Sequence, residues 1–506
     1  MARDTLQEFL MQLDQMGELR RISATVDPVL EVSEIADRVS KAPTRDGEYP
    51  AGQAPFAGTA PKYGTAAVNQ ALLFEHVKGS AYPLVINTFG SYRRIHAALG
   101  CESLDALAQR IADLTQPQLP ARFMDKMKKG LDLLKIAGYG PKVRSGPGLC
   151  QEVVHTDDAD ITRLPVIQCW PGDGGKYITL GQVITKHPET GARNLGMYRV
   201  QIFDKKMTAM HWHTHHDGAR HFRAWAKLGK PCPLAITLGG ESVLPYAATA
   251  PLPPGIDEHI FAGFLLGRGL ELVPCKTVPL EVPANCEFVI EGFVAPYQTI
   301  LEGPFGDHTG FYSLADQYPV FNITAITHRR NPIYPTTIVG KPPQEDYYLG
   351  KATERVFLPL LKIMVPDVMD YDLPMFGAFH NCAFIKIRKE YAYHARKVIH
   401  AIWGAGQMAW TKIVVVVDEH VDVHNQNDVL FHLGANVDPR RDTFIAEGPL
   451  DILDHAAPAM GAGSKMGIDA TRKWPGEGTV RDWPDEIAMD ETTIKTVTRR
   501  WKEYGF

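Results

Sequence analysis

Between about residues 150 and 325, short runs rich in Val, Ile, Thr and aromatic side chains recur, broken by Gly and Pro: YITLGQVITKH, LGMYRVQIF, PLAITLGG, CEFVIEGFV and FNITAITHRR. β-Branched and aromatic residues suit a pleated, half-buried surface, and Gly and Pro punctuate turns. The spacing predicts an all-β barrel or sandwich in the middle of the chain. One helix interrupts it, DEHIFAGFLLG, with Ile260, Phe261, Phe264 and Leu265 on one face.

On either side the texture is α/β. The opening segment reads as a helix: Asp4 can cap it with Gln7 at the capping-box spacing, Leu6, Phe9, Leu10 and Leu13 form one stripe, and Gly17 ends it. A second helix is expected over Leu30–Val39. Residues 41–70 carry Pro43, Pro50, Pro55 and Pro61 without a periodic apolar face, so they read as a long surface loop. LLFEHV and YPLVINTFG follow as strands and YRRIHAALG as a helix. Beyond about residue 330, CAFIKIRK reads as a strand, EYAYHARKVIHAIWG as a helix, and TKIVVVVDEHV as a buried strand ending in Asp418 and Glu419. TTIKTVTRRWKEYGF is a last amphipathic helix. At 506 residues the chain is too long for one core. The expected division is an N-terminal α/β domain (1–125), a central β domain (126–325), a C-terminal α/β domain (326–480), and a terminal helix (481–506) making an oligomer contact.

The net charge of -5 argues against general affinity for nucleic acid or anionic membranes. Seven cysteines, with no CxxC pair, read as reduced thiols of a cytoplasmic protein. The N-terminus lacks the apolar core of a signal peptide, and IVVVV is too short to span a bilayer.

Of the 19 histidines, four crowd one segment: His211, His213, His215 and His216. If MTAMHWHTHH is a strand, His211, His213 and His215 share one face. Three such imidazoles could ligate a metal, or hydrogen-bond within a polar pocket. HWHTHHD also looks like the HxHxDH run of binuclear zinc hydrolases, but His215 stands where that run has Asp, and the setting is β-rich. The neighbours favour a different set. An amide oxygen, a carboxylate and one imidazole, all available in the stretches around Asn194 and Asp257–Glu258, form an oxygen-dominated set that suits Mn²⁺ or Mg²⁺, usually bridging to a phosphate, better than zinc. Arg199 supplies a permanent planar cation. Glu302 and Asp307, five apart on a Gly/Pro-rich turn, are acids whose pKa values could split, one protonated and the other charged beside the arginine. Asn194 and Arg199 are also five apart, which on an ideal strand puts them on opposite faces. Both reach one site only if the chain bends, with Gly196 the expected place.

GELRRI, LPVIQCWPGDGG (164–175), NLGMYR (194–199), the DEHIFAG helix, LEGPFGDHTGFY (301–312) and GSKMGIDATRKWPGE (463–477) together resemble the UbiD family of prenylated-flavin-dependent decarboxylases. The resemblance covers nearly the whole chain and looks most like the branch named for 4-hydroxy-3-polyprenylbenzoate decarboxylase. It implies an N-terminal α/β domain, a central split β-barrel like that of flavin reductases, a C-terminal α/β domain, and a homodimer or homohexamer. It implies prenylated FMN, supplied by a separate flavin prenyltransferase and bound with Mn²⁺ (or Mg²⁺) and often K⁺. By that match Asn194, His215 and Glu258 ligate the metal, with His216 as the alternative to His215. Met197, Tyr198, Arg199, His211, Trp212, His213, His216 and Asp217 line the flavin. Arg199, Glu302 and Asp307 form the catalytic Arg–acid–acid set. The long 41–70 segment and the dense histidines depart from the family pattern.

The implied reaction is reversible, non-oxidative decarboxylation of an aromatic or α,β-unsaturated acid, (polyprenyl)hydroxybenzoates among them. Arg199 holds the carboxylate, the flavin acts as electron sink, and Asp307 protonates the carbon that loses CO₂. Two other classes stay open at this stage: a non-catalytic subunit of a carboxylase complex, and a binuclear-metal hydrolase using His211–His216. Lys465, in GAGSKMG, is expected to approach the site from the C-terminal domain.

Overall fold

The computed structural model describes residues 1–44, 68–115, 138–214, 216–253, 255–479 and 481–506. The expected 41–70 loop falls mostly outside them, and so does His215. The fold is mixed α/β, built on three principal sheets.

The opening helix Leu6–Gln15 buries the expected stripe of Leu6, Phe9, Leu10 and Leu13. Its cap is one residue later than predicted: Thr5 accepts from Glu8 N, and the Glu8 carboxylate accepts from Asp4 N. The Thr5–Glu8 pair therefore takes the capping-box spacing. Gln7 is freed to donate to the Asn331 carbonyl at 2.8 Å. The first sheet joins Leu19–Val26, Ala71–Val77 and Leu84–Ile86, and is completed by Tyr334–Pro335 from far along the chain.

The central sheet has nine strands and is antiparallel throughout. Arg193–Met197 forms one edge, and Val200–Ile202 lies next to the other. In a flat sheet those two strands, six interstrand steps apart, would lie about 29 Å from each other. Only Tyr198 and Arg199 connect them, and three residue steps span at most about 11 Å. The sheet must therefore curl until its two ends meet, as a half-barrel closed by this two-residue seam. The seam also answers how Asn194 and Arg199 reach one region. The chain changes strand between them, while Gly196 stays in regular register with Val183. Gly196 serves another purpose: a Cβ there would lie 2.4 Å from the Tyr198 hydroxyl, so only glycine lets that ring fold back over the strand.

The strand predicted through MTAMHWHTHH ends at Met210. His211 to His213 form an irregular connection, and the helix Asp217–Lys227 follows, so strand alternation does not set the histidine positions. On Glu258–Leu266 the buried face includes Phe261, Phe264 and Leu265, but Ile260 is 37% exposed. His259 takes the inward place because its Nδ1 bonds the Asp257 carboxylate at 2.7 Å.

The third sheet has the order Val368–Asp372, Cys382–Ile387, Ile413–Val417, Ala462–Asp469, Thr443–Pro449, with the middle three strands parallel. The helix Glu345–Met364 joins the parts. Its Glu345 carboxylate accepts from Asn87 N (3.0 Å) and Phe89 N (2.8 Å) of the first domain. Six residues on, Lys351 pairs with Glu354 and with Asp372 of the third sheet. Among the described residues no helix is long and apolar enough to cross a membrane.

Candidate active site

Arg199, at the barrel seam, is buried and meets both acids. Its Nε and Nη2 donate to the two oxygens of Glu302 at 2.9 and 3.1 Å, and Nη1 donates to Asp307. Ser313 Oγ lies 3.0 Å from Nη2, and the guanidinium sits 4.7 Å over the Phe305 ring. A bidentate fork of this kind needs the planar arginine.

The acids are placed by the WPGDGG motif. Glu302 ends the long strand Cys286–Glu302, and Asp307 lies in the turn beyond it. Buried Asp173 accepts from Gly306 N (2.8 Å), Cys169 N (3.0 Å) and Trp170 N (2.8 Å), tying this turn to the loop 169–173. Gln201 Oε1 accepts from Gly303 N at 2.8 Å while its Nε2 donates to the Gly174 carbonyl at 2.9 Å.

Electrostatics overturn one expectation: neither acid is held protonated. Burial pushes Glu302 upward, but hydrogen bonds from His211 and Arg199 outweigh it and leave the carboxyl below its ordinary value. Burial likewise opposes ionisation of Asp307, yet His308 and the Arg199 charge hold it well below the usual carboxylate range. The proton sits next door. Burial disfavours the charged His308, but Asp307, 3.1 Å from Nδ1, pulls it up to about 9. The sequence reading passed over His308, although it directly follows Asp307 in EGPFGDH. Asp346, pushed up to about 7 by burial, was missed as well.

Because Glu302 is an acceptor only, His211 donates to it from Nδ1 (2.9 Å). Burial, followed by the Arg199 charge, lowers the His211 pKa, so the ring is neutral and its Nε2 accepts from His213 Nε2 at 2.7 Å. His213 N donates to His216 Nδ1 at 3.1 Å, and the His216 ring lies 5.1 Å from that of Tyr198. Trp212 is buried 6.2 Å from Tyr198. Asp217 is exposed and pairs with Arg220 at 2.6 Å. Among the described residues, no group of three metal-competent ligand atoms includes His211, His213 or His216. Their hydrogen bonds run to one another and to Glu302, the arrangement of a polar pocket.

Asn194 and Glu258 do come together: Glu258 accepts from Leu195 N at 3.0 Å. Burial pushes the Glu258 carboxyl up to about 7, and the buried Asn194 Nδ2 has no partner among the described residues. A buried carboxylate short of a counter-charge fits a hard divalent cation, while the unpaired Nδ2, a donor, calls for an acceptor such as a phosphate oxygen.

A cavity of about 900 Å³ opens between the barrel and the third sheet. Met197, Leu180, Leu349, Phe357, Leu361 and Met408 give it an apolar wall, and His308, Asp346 and His380 a polar end. Arg199, Glu302 and Asp307 are not lining residues; the group is linked to the cavity through the bond between Asp307 and His308. Lys465 is not a lining residue; it donates to the Ala409 carbonyl, behind the loop that is. Asp418 accepts from Arg472 N at 2.6 Å, and Glu419 pairs with Arg388 at 2.7 Å, so both strand-end acids are engaged away from the cavity.

Three family models cover most of the chain: the N-terminal domain of 3-octaprenyl-4-hydroxybenzoate carboxy-lyase at residues 10–114, its Rift-related domain at 141–342, and its C-terminal domain at 347–470. Uncharacterized proteins of Aquifex aeolicus and Archaeoglobus fulgidus are each 46% identical, over 99% of this chain and 98% and 99% of theirs. Among solved structures, the vanillic acid decarboxylase of Sedimentibacter hydroxybenzoicus in closed form is 27% identical, with a TM-score of 0.81 over 99% of both chains. The UbiD-class enzyme HmfF of Pelotomaculum thermopropionicum, in complex with FMN, is 28% identical, with a TM-score of 0.76 over 98% of this chain and 99% of its own. An evolved dimeric form of HmfF is in complex with prFMN. The chain therefore belongs to the UbiD family of carboxy-lyases.

Proposed function

We propose that this protein is a prenylated-FMN-dependent decarboxylase of an aromatic or α,β-unsaturated acid, working reversibly on a central split barrel. The observation that carries the reading is Arg199, buried at the barrel seam and bonded to both Glu302 and Asp307 beside a cavity of substrate size. Asn194 and Glu258 would hold the Mn²⁺ or Mg²⁺ that accompanies the flavin, with His215 or His216 completing the set. Met197, Tyr198, His211, Trp212, His213, His216 and Asp217 are the proposed flavin contacts, and the protein is proposed to work as a homo-oligomer. The bound prenylated flavin would supply the electron sink for the carbanion left when CO₂ departs, which no side chain can provide.

The chain's own residues do the rest. Arg199 orients the substrate carboxylate, exchanging part of its hold on the acids for a planar pair with the substrate. The proton starts on His308, an imidazolium at neutral pH; it passes through the ionised Asp307 carboxylate to the carbon that loses CO₂, and solvent reprotonates His308. Glu302 keeps Arg199 and His211 in place. The apolar wall excludes water from the reacting carbon and accepts a ring bearing hydrocarbon substituents; a polyprenyl tail is one such group. The assembled acids and arginine favour an enzyme over a non-catalytic subunit.

Production with a flavin prenyltransferase should yield coloured protein that releases CO₂ from a panel of aromatic and unsaturated acids. Asp307→Asn should keep the flavin and lose at least about 100-fold in turnover. Full activity in that variant removes Asp307 from its role.

A further inference from the structure

A second ligand set lies in the C-terminal domain, far along the chain from the cavity. His432 is on the helix Gln426–Asn436, His420 follows the strand Ile413–Val417, and Glu486 is on the returning C-terminal segment. One ligand atom from each lies within 4.8 Å of the other two. Glu486 Oε2 is 3.2 Å from His420 Nε2 and 3.4 Å from His432 Nε2. Bonds of about 2.0–2.1 Å at tetrahedral angles separate neighbouring ligand atoms by about 3.3 Å.

Hydrogen bonding points the same way. Buried His432 places Nδ1 2.9 Å from the Asp428 carbonyl, which can only accept. Nδ1 therefore donates to that carbonyl, which fixes the ring with Nε2 aimed at the Glu486 carboxylate 3.4 Å away. An imidazole held through its other nitrogen by a backbone carbonyl is also how proteins orient metal-ligating histidines. The other histidine–carboxylate group, Glu354, Asp372 and His424, differs in this respect. Lys351 and Arg355 already neutralise it, leaving no charge for an ion to balance.

We propose that His420, His432 and Glu486 bind a late first-row divalent ion, zinc foremost, independently of the flavin site. Two imidazoles and one carboxylate are a borderline set that suits zinc over magnesium or calcium. Glu486 lies past residue 470, where the C-terminal family model ends, so the ion would fasten the C-terminal segment to the domain. The three ligands also line a groove of about 880 Å³ that includes Arg441, Arg472 and Trp483, leaving the fourth position to water or to an anion.

The test uses untagged full-length protein, freed of metal by chelation and titrated with Co²⁺ and Zn²⁺. In a Glu258→Gln background, which silences the proposed flavin-bridging site, one equivalent of Co²⁺ should bind with the strong visible bands of low-coordinate cobalt, and Zn²⁺ should displace it. Adding Glu486→Gln or His420→Gln, both at exposed positions, should weaken binding at least about tenfold. If Glu258→Gln does not fold, the same comparison is made between wild type and Glu486→Gln, which should differ by one equivalent. As a second readout, Zn²⁺ should slow proteolysis within residues 471–506 of wild type and not of Glu486→Gln. Absence of a tight ion in the Glu258→Gln background, or binding unchanged by Glu486→Gln, overturns the proposal.

Discussion

His308→Gln separates the proton store from the acid it serves. Glutamine keeps roughly the size of the ring and can still donate to Asp307, but it carries no titratable proton. In the folded protein the imidazole is raised from 6.5 to about 9. That difference corresponds to about 3 kcal/mol of stability. Because the folded value is raised, the contribution is fully present below pH 6.5. It declines as pH rises towards 9 and is absent above that. Urea midpoints of the flavin-free protein, measured at steps from about pH 6 to about pH 10, read it directly. Wild type should lose about 3 kcal/mol more than His308→Gln across that window. His424, also pulled up to about 9 by Asp370 and Asp372 against the effect of burial, titrates in both proteins and cancels from the difference. Parallel pH profiles would show that His308 does not hold a proton for Asp307, and the relay proposed above would fall with it.

Glu258→Gln should lose the flavin together with one equivalent of divalent ion, read as metal content and the visible flavin spectrum; unchanged flavin occupancy would reject Glu258 as a ligand. Gly174→Ala should disturb the turn that carries the acids, because its Cβ would sit 2.3 Å from the Gly303 carbonyl oxygen. A loss of about 1–3 kcal/mol in stability is expected, with turnover falling more than substrate affinity. Arg94→Met should cost about 1–3 kcal/mol: buried Glu18 keeps Arg93 at 3.1 Å but loses the Arg94 guanidinium at 2.8 Å, and Asn69 loses two donors. A neutral unfolding midpoint would refute that pairing.

Elements whose periodicity is local were readable. The stripe Leu6–Leu13 and the valine run Ile413–Val417 are buried as expected, because burial follows directly from spacing. What failed depended on competition between neighbours. Asp4 and Thr5 both suit a helix cap, and Glu8 decided for Thr5. Ile260 lost its inward place to a histidine tied to Asp257. The closeness of Arg199, Glu302 and Asp307 rested on resemblance, because no local pattern states that two strands at opposite sheet edges share a two-residue link. The protonation states were illegible for a related reason: a pair of acids reads as a split pair until the arginine and His308 are seen to touch both sides of it.

The helix Glu345–Met364 is gripped at its start by the loop Asn87–Phe89 and, six residues later, by the Lys351–Asp372 salt bridge. Leu349, between the two anchors, and Phe357 and Leu361, beyond them, line the cavity. The first and third sheets are thus coupled through one rigid rod that is also a wall of the chamber. The position of that wall is therefore set by one hydrogen-bonded and one ionic anchor, neither of which lines the chamber.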